Sequence, residues 1–235
     1  MKKILVVMLT VVLVLSLART GCGKKNANVI RIGIFEPASG DNGAGGKQEV
    51  LGIRYAHSLV NEVEIDGEVY TIELVEVDNQ SDTSKAVTAA QSLVSDEVSV
   101  VLGSYGSGVS IAAGEIFAEA GIPAIGCSCT NPQVTEGNDY YYRVCFLDPF
   151  QGTVMANFAM DEFGADTAYV LTQLGDDYSA GLGNYFAEAF EAMGGTVVRA
   201  DFPEGTSDFT AYLTTAVNEG ADVIFSPTST TSASY

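Results

Sequence analysis

The sequence predicts an α/β protein of two lobes, each built on a parallel, doubly wound sheet. Two features carry that expectation. From Val29 onward, short apolar runs of strand length alternate with longer stretches whose apolar residues recur at helical spacing, the pattern of strand–helix–strand units with right-handed crossovers. The alternation then restarts after Asp148-Pro149, so residues 29–148 are read as a first α/β lobe and residues 149–235 as a second, partial one.

The elements follow in order. Val29 to Phe35 is a strand, ended by Pro37 and a glycine-rich loop. Val50, Ile53, Tyr55, Ala56, Leu59, Val60 and Val63 fall at helical spacing. Tyr70 to Val77 is a second strand, and Asp82 or Thr83 can cap the helix that carries Ala86, Val87, Ala90, Leu93 and Val94. Strand Val98 to Leu102, a small-residue helix from Gly108 to Ala120 and strand Ile122 to Ile125 continue the alternation. Tyr141 to Phe146 is extended and close to a lobe crossover. Beyond Pro149 the pattern predicts helices over 152–162, 180–193 and 209–219, and strands over 168–171, 196–200 and 223–225. Ser226 to Tyr235 is a polar loop heading into another helix. A lobe with three strands is small, which reads as a piece of a longer protein.

The N-terminus sets the compartment. Lys2 and Lys3 precede an apolar run from Ile4 to Leu17, then small residues and Cys22, the layout of a secretory signal peptide over residues 1–21. The run is shorter than the ~20 apolar residues a spanning helix needs. Gly21-Cys22-Gly23 resembles a bacterial lipobox, although Arg19 stands where leucine is usual. The expectation is an extracytoplasmic protein anchored to the cell membrane by lipid on Cys22, with residues 22–28 as the anchor and tether. The formal charge is −19, and loss of residues 1–21 removes Lys2, Lys3 and Arg19 but no acid. So acidic a surface repels phosphate backbones and argues against nucleic-acid partners.

Cys127, Cys129 and Cys145 make an odd trio, a poor disulfide framework. They read as small buried thiols, with a bridge from Cys127 or Cys129 to Cys145 left open. Cys127-Ser128-Cys129 with one distant histidine, His57, is a weak zinc pattern, so neither metal nor cofactor is expected. Catalytic signatures are missing: there is no Gly-x-Ser-x-Gly elbow, Walker loop or His-Glu-x-x-His. His57 reads as a surface or lobe-packing residue, and Asp176, Asp177, Glu188 and Glu191 as solvated acids. The chain is therefore not read as an enzyme.

What stands out is the chemistry of the loops after the strands, where open parallel sheets take ligands. Gly103-Ser104-Tyr105-Gly106-Ser107-Gly108 and Cys127-Ser128-Cys129-Thr130-Asn131-Pro132 are rich in glycine and hydroxyls and lead towards helices. Helix N-termini and neutral hydroxyl donors seat a small anion or zwitterion without reacting with it.

Taken together, Ser39-Gly40 with Gly52, Asp78-Asn79-Gln80-Ser81-Asp82, Gly103 through Ser107, Gly121-Ile122-Pro123-Ala124-Ile125 leading to Thr130-Asn131-Pro132, and Asp177-Tyr178 occur in an order and spacing that resembles the type I periplasmic binding proteins. The similarity is to the branch that binds leucine, isoleucine and valine for ABC transporters, and it runs from Val29 to the end. It implies a two-lobed fold, C-terminally incomplete here, closing on an amino acid or similar solute that is delivered to permease subunits. By the same resemblance Ser107, Ser128 and Thr130 of the first lobe grip the ligand, with Tyr105 nearby and Cys129 contributing backbone at most. Tyr178 closes from the second lobe, and Ser229 and Thr230 stand where an aromatic is usual. Gly45 likewise replaces an aromatic that packs on the ligand, so the side-chain pocket is expected to be wider and more polar than one for leucine. The rival reading is a sensory-receptor ectodomain of the same fold.

Overall fold

The computed structural model describes residues 28–235. Residues 1–27, with the expected signal peptide, Cys22 and most of the expected tether, lie outside the described residues. The first sheet has six strands: β1 (Val29–Glu36), β2 (Glu62–Ile65), β3 (Glu68–Asp78), β4 (Val100–Leu102), β5 (Ala124–Gly126) and β6 (Tyr141–Arg143). Their spatial order is β2-β3-β1-β4-β5-β6, and every pairing is parallel except β2 with β3. Three helices connect them, α1 (Gly43–Leu59), α2 (Thr83–Ser95) and α3 (Ser107–Glu119). The core between sheet and helices gathers Phe35, Leu93, Val101 and Phe117, with Phe35 and Phe117 edge to face at 5.5 Å.

Helix α4 (Asp148–Phe163) leads to a second sheet of β7 (Thr167–Gln173), β8 (Thr196–Phe202) and β9 (Val223–Phe225). It is parallel throughout, in the order β8-β7-β9. Helices α5 (Asp177–Ala192), α6 (Thr210–Asn218) and α7 (Thr230–Ala233) complete the described chain. Strand β7 is buried on both faces and divides two cores. Val170 packs with Phe186 and Phe190 on one side, and Tyr169 and Leu171 with Phe202 on the other.

Two expectations fail around α1. Val60 and Val63 do not extend the helix. The chain turns out at Leu59, and Glu62–Ile65 pairs antiparallel with Glu68–Thr71. The turn is Asp66-Gly67, with φ of 52° and 83°, the left-handed pair that a tight two-residue hairpin needs. The helix also starts at Gly43, earlier than the apolar spacing shows. A Cβ on Gly46 would fall 2.2 Å from the Pro37 carbonyl oxygen, so its glycines let this first turn pack against the loop after β1.

Elsewhere the boundaries shift by a few residues. Helix α4 begins at Asp148, with Pro149 in its first turn where a missing N–H costs nothing. Asp82, not Thr83, caps α2, accepting from Ser84 N and Lys85 N.

Candidate ligand-binding site

Beyond the carboxyl ends of both sheets lies a cleft of about 520 Å³. Its first wall begins after β4. Gly106 sits at φ 111°, a conformation glycine reaches readily, and this turn lets Ser107 open α3. The first turn of α3, from Gly106 to Val109, lines the cleft and brings unpaired N–H groups and a positive dipole end to it. Ser128 and Thr130, from the loop after β5, extend this wall. The facing wall is the start of α5, where Asp176 caps the helix by accepting from Tyr178 N at 2.9 Å and Ser179 N at 3.3 Å. Thr228, Ser229 and Thr230 follow β9 into the same wall. The walls touch through Asn131 Nδ2, which donates to the Asp177 carbonyl at 2.8 Å.

The structure thus places Tyr105, Ser107, Ser128, Thr130, Tyr178 and Ser229 around one cleft. Cys129 is not with them. Its side chain is buried in the first core, and its carbonyl accepts from Arg143 Nη1 at 2.9 Å.

The hydroxyls are unequally free. Ser128 Oγ donates to Glu49 Oε1. Ser229 Oγ caps α7, accepting from Ser232 N at 3.1 Å. Ser107 Oγ accepts from Asn131 N at 3.1 Å, which leaves its proton to donate. Thr130 Oγ1 is buried, with the Asp148 carboxyl as its neighbour. Burial raises the Tyr178 phenol above its ordinary value, against a hydrogen bond with the Gln151 side chain.

Charge is one-sided. Asp41, Asp82, Asp176, Asp177 and Glu204 border the cleft, and among the described residues no lysine, arginine or histidine does. Asp176 is thus a cap at the cleft wall and not merely a solvated acid; burial raises its pKa, against the two backbone donors. His57 lies away from the cleft, with Nε2 2.9 Å from the Ile72 carbonyl.

Gly45 does not leave a void. A Cβ there would fall 2.5 Å from the Tyr105 ring, so Tyr105 occupies the space and the expected widening at this point does not occur. Ser229 and Thr230 do keep that end of the cleft rich in hydroxyls.

Two carboxylates that sequence reasoning passed over support the first wall. Glu36 ends β1, 1% exposed, and accepts Tyr105 N at 2.7 Å. Glu49, from the second turn of α1, holds Ser128. Burial first, and the neighbouring Glu49 second, push Glu36 up to about 10. The available signal was an acid closing an otherwise apolar strand, Ile34-Phe35-Glu36. Cys127, Cys129 and Cys145 are free thiols. Burial pushes both Cys127 and Cys129 up to about 12, so they are poor nucleophiles.

Comparison with known proteins agrees with this architecture. The periplasmic binding protein family matches residues 29–234. An amino acid binding protein of Pseudomonas aeruginosa is 33% identical over 198 residues, 83% of this chain and 52% of the relative. Among solved structures, a leucine binding protein from Thermotoga maritima is 36% identical with a TM-score of 0.78, over 83% of this chain and 55% of that one. A branched-chain amino acid transporter substrate binding protein from Streptococcus pneumoniae, in complex with isoleucine, is 32% identical with a TM-score of 0.74, over 84% and 56%. A solute binding protein of an ABC transporter from Rhodopseudomonas palustris, in complex with 4-hydroxybenzoate, is 26% identical with a TM-score of 0.73, over 84% and 53%. The chain spans about half the length of the relatives it matches. With the family match running across nearly all the described residues, onto two sheets of mainly parallel strands that share a cleft, the chain belongs to the periplasmic binding proteins.

Proposed function

We propose that this chain is the solute-capturing component of an ABC importer, binding an amino acid or amino-acid-like solute between lobes 29–148 and 149–235 and passing it to a membrane permease. One observation carries the reading. The cleft joins the N-terminus of α3 and the Ser107 and Thr130 hydroxyls, Ser107 with its proton left to donate, to a border of acids without a cation. A carboxylate suits the first part, an ammonium the second, and an α-amino acid has both. Relatives named for amino acids support the same class. An aromatic acid of the kind held by the Rhodopseudomonas relative supplies the carboxylate but leaves Asp176 and Asp177 unanswered. Lipid on Cys22 would hold the protein at the outer face of the membrane. No helix among the described residues is long and apolar enough to cross one.

The test is thermal unfolding of the chain, stripped of ligand by unfolding and refolding, against amino acids and hydroxybenzoates. Ligand at a hundredfold excess over its dissociation constant stabilises the folded state by about 2.7 kcal/mol, a clear shift. Thr130→Val and Tyr178→Ala are each expected to weaken binding about 10-fold, the effect of losing roughly one hydrogen bond to a charged group. Unchanged affinity in both variants would remove the site assignment. A response to hydroxybenzoates alone would replace the amino acid with an aromatic acid, and no response to either class would sink the ligand reading.

A further inference from the structure

We propose that Glu36, Glu49 and Cys127 form a binding site for a zinc-class divalent cation behind the first wall of the cleft. One oxygen of each carboxylate and the Cys127 sulfur all lie within 4.8 Å of one another. Three separate elements build the cluster. Glu36 is the last residue of β1, Cys127 follows β5 two strands away in the same sheet, and Glu49 reaches in from α1.

Each carboxylate spends one oxygen on the cleft wall, Glu36 on Tyr105 N and Glu49 on the Ser128 hydroxyl. The second oxygens, Glu36 Oε1 and Glu49 Oε2, are buried with no donor but the other carboxyl. Two carboxyls so placed cannot both carry charge unless a cation lies between them. The ion pairs found among the described residues, Arg31–Glu73 and Arg54–Glu76, lie elsewhere. What remains is a shared proton or a metal ion. A shared proton explains two oxygens but gives the sulfur no part; a metal ion uses all three donors.

The donor set selects the ion. A thiolate beside two carboxylates is foreign to magnesium and calcium, which take oxygen, and suits zinc or cobalt in a tetrahedral site. Bonds of about 2.0–2.3 Å put tetrahedral donors roughly 3.5 Å apart, so the side chains close in by about 1 Å. The fourth position is left for water. Glu49 and Cys127 are only half-buried, which leaves the ion a way in. Because both carboxylates also grip Tyr105 and Ser128, a bound ion would steady two residues of the cleft.

The experiment uses the whole chain, freed of metal by chelator and then titrated with Co2+ and, separately, with Zn2+ under reducing conditions. The expected result is one ion per chain and a thiolate-to-cobalt charge-transfer band in the near ultraviolet. Cys127→Ser should abolish the band, Glu49→Gln should weaken binding about 10-fold or more, and Cys145→Ser should leave both intact. Failure of the unaltered chain to retain stoichiometric Co2+ or Zn2+ would overturn the site and leave a shared proton between the carboxylates. So would a band that survives Cys127→Ser. The readout is independent of any solute in the cleft, and the unaltered chain decides the matter even if a variant does not fold.

Discussion

Glu36 and Asp78 stand side by side at the carboxyl ends of neighbouring parallel strands, paired in register, yet their surroundings drive them in opposite directions. Asp78 accepts the N–H groups of Ala38 at 2.8 Å, Ser39 at 3.3 Å and Gln80 at 2.9 Å, and the Ser39 hydroxyl at 2.7 Å. Partial burial by itself would raise its pKa, but these hydrogen bonds together outweigh it and the carboxyl is held below its ordinary value. Glu36 has one backbone donor and lies under the loops, so burial dominates and the acid is pushed far up. The strand end does not set the charge. The number of donors that the surrounding loops can spare does.

The comparison can be broken most directly at Asp78. Asp78→Ala strands the N–H groups of Ala38, Ser39 and Gln80, and the midpoint of chemical denaturation should fall by the equivalent of about 2 kcal/mol. An unchanged midpoint would mean that Asp78 does not hold the loop after β1. Asp78→Asn keeps the shape and removes the charge, and should cost about 1 kcal/mol at neutral pH. Its pH dependence has a definite sign. A carboxyl with a depressed folded value contributes stability above its unfolded value, about 3.9, and loses it as pH falls through the folded one. The gap between Asp78→Asn and the unaltered chain should therefore close in acid, and a gap that widens there would contradict the assignment.

Glu36→Gln, measured with chelator present, is the opposite case. The amide fills the same volume, accepts from Tyr105 N and offers its own N–H towards Glu49, so stability should change by less than about 1 kcal/mol. A loss as large as that of Asp78→Ala would show that Glu36 is charged in the folded protein. The smallest effect is expected two residues earlier on the strand of Asp78. Glu76 meets Arg54 at 2.5 Å, but both are at the surface, and Arg54→Ala should leave the denaturation midpoint where it was.

Much of this architecture could be read from the chain because it rests on local pattern. Each parallel strand needs its own apolar run and each crossover its amphipathic helix, so β1, β3, β7 and α2 are visible in any window that contains them. The hairpin of β2 was equally local. Asp66-Gly67 between Val63, Ile65, Val69 and Tyr70 is a hairpin signal, lost because Val60 and Val63 also fit the spacing of the preceding helix. The early start of α1 had no such signal, since glycines at 43, 45 and 46 disfavour a helix until they are seen to pack against Ala38, Tyr105 and Pro37.

The cleft divides along the same line. Hydroxyls and glycines after strands mark the loops, but which hydroxyl is free is invisible in the sequence. Ser128 and Thr130 look alike there; in the fold Ser128 donates to Glu49 of α1 while Thr130 lies against Asp148 of α4. By itself, then, the sequence determined the alternation of strands and helices, the parallel sheets and the loops at their carboxyl ends, since periodicity and turn chemistry act over a few residues. Tertiary structure alone decided that Tyr105 fills the space at Gly45, that Cys129 turns into the core beside Ser128, and that Glu36, Glu49 and Cys127 converge. Those outcomes depend on which side chains meet from separate elements of the fold, and on how many donors remain once they do.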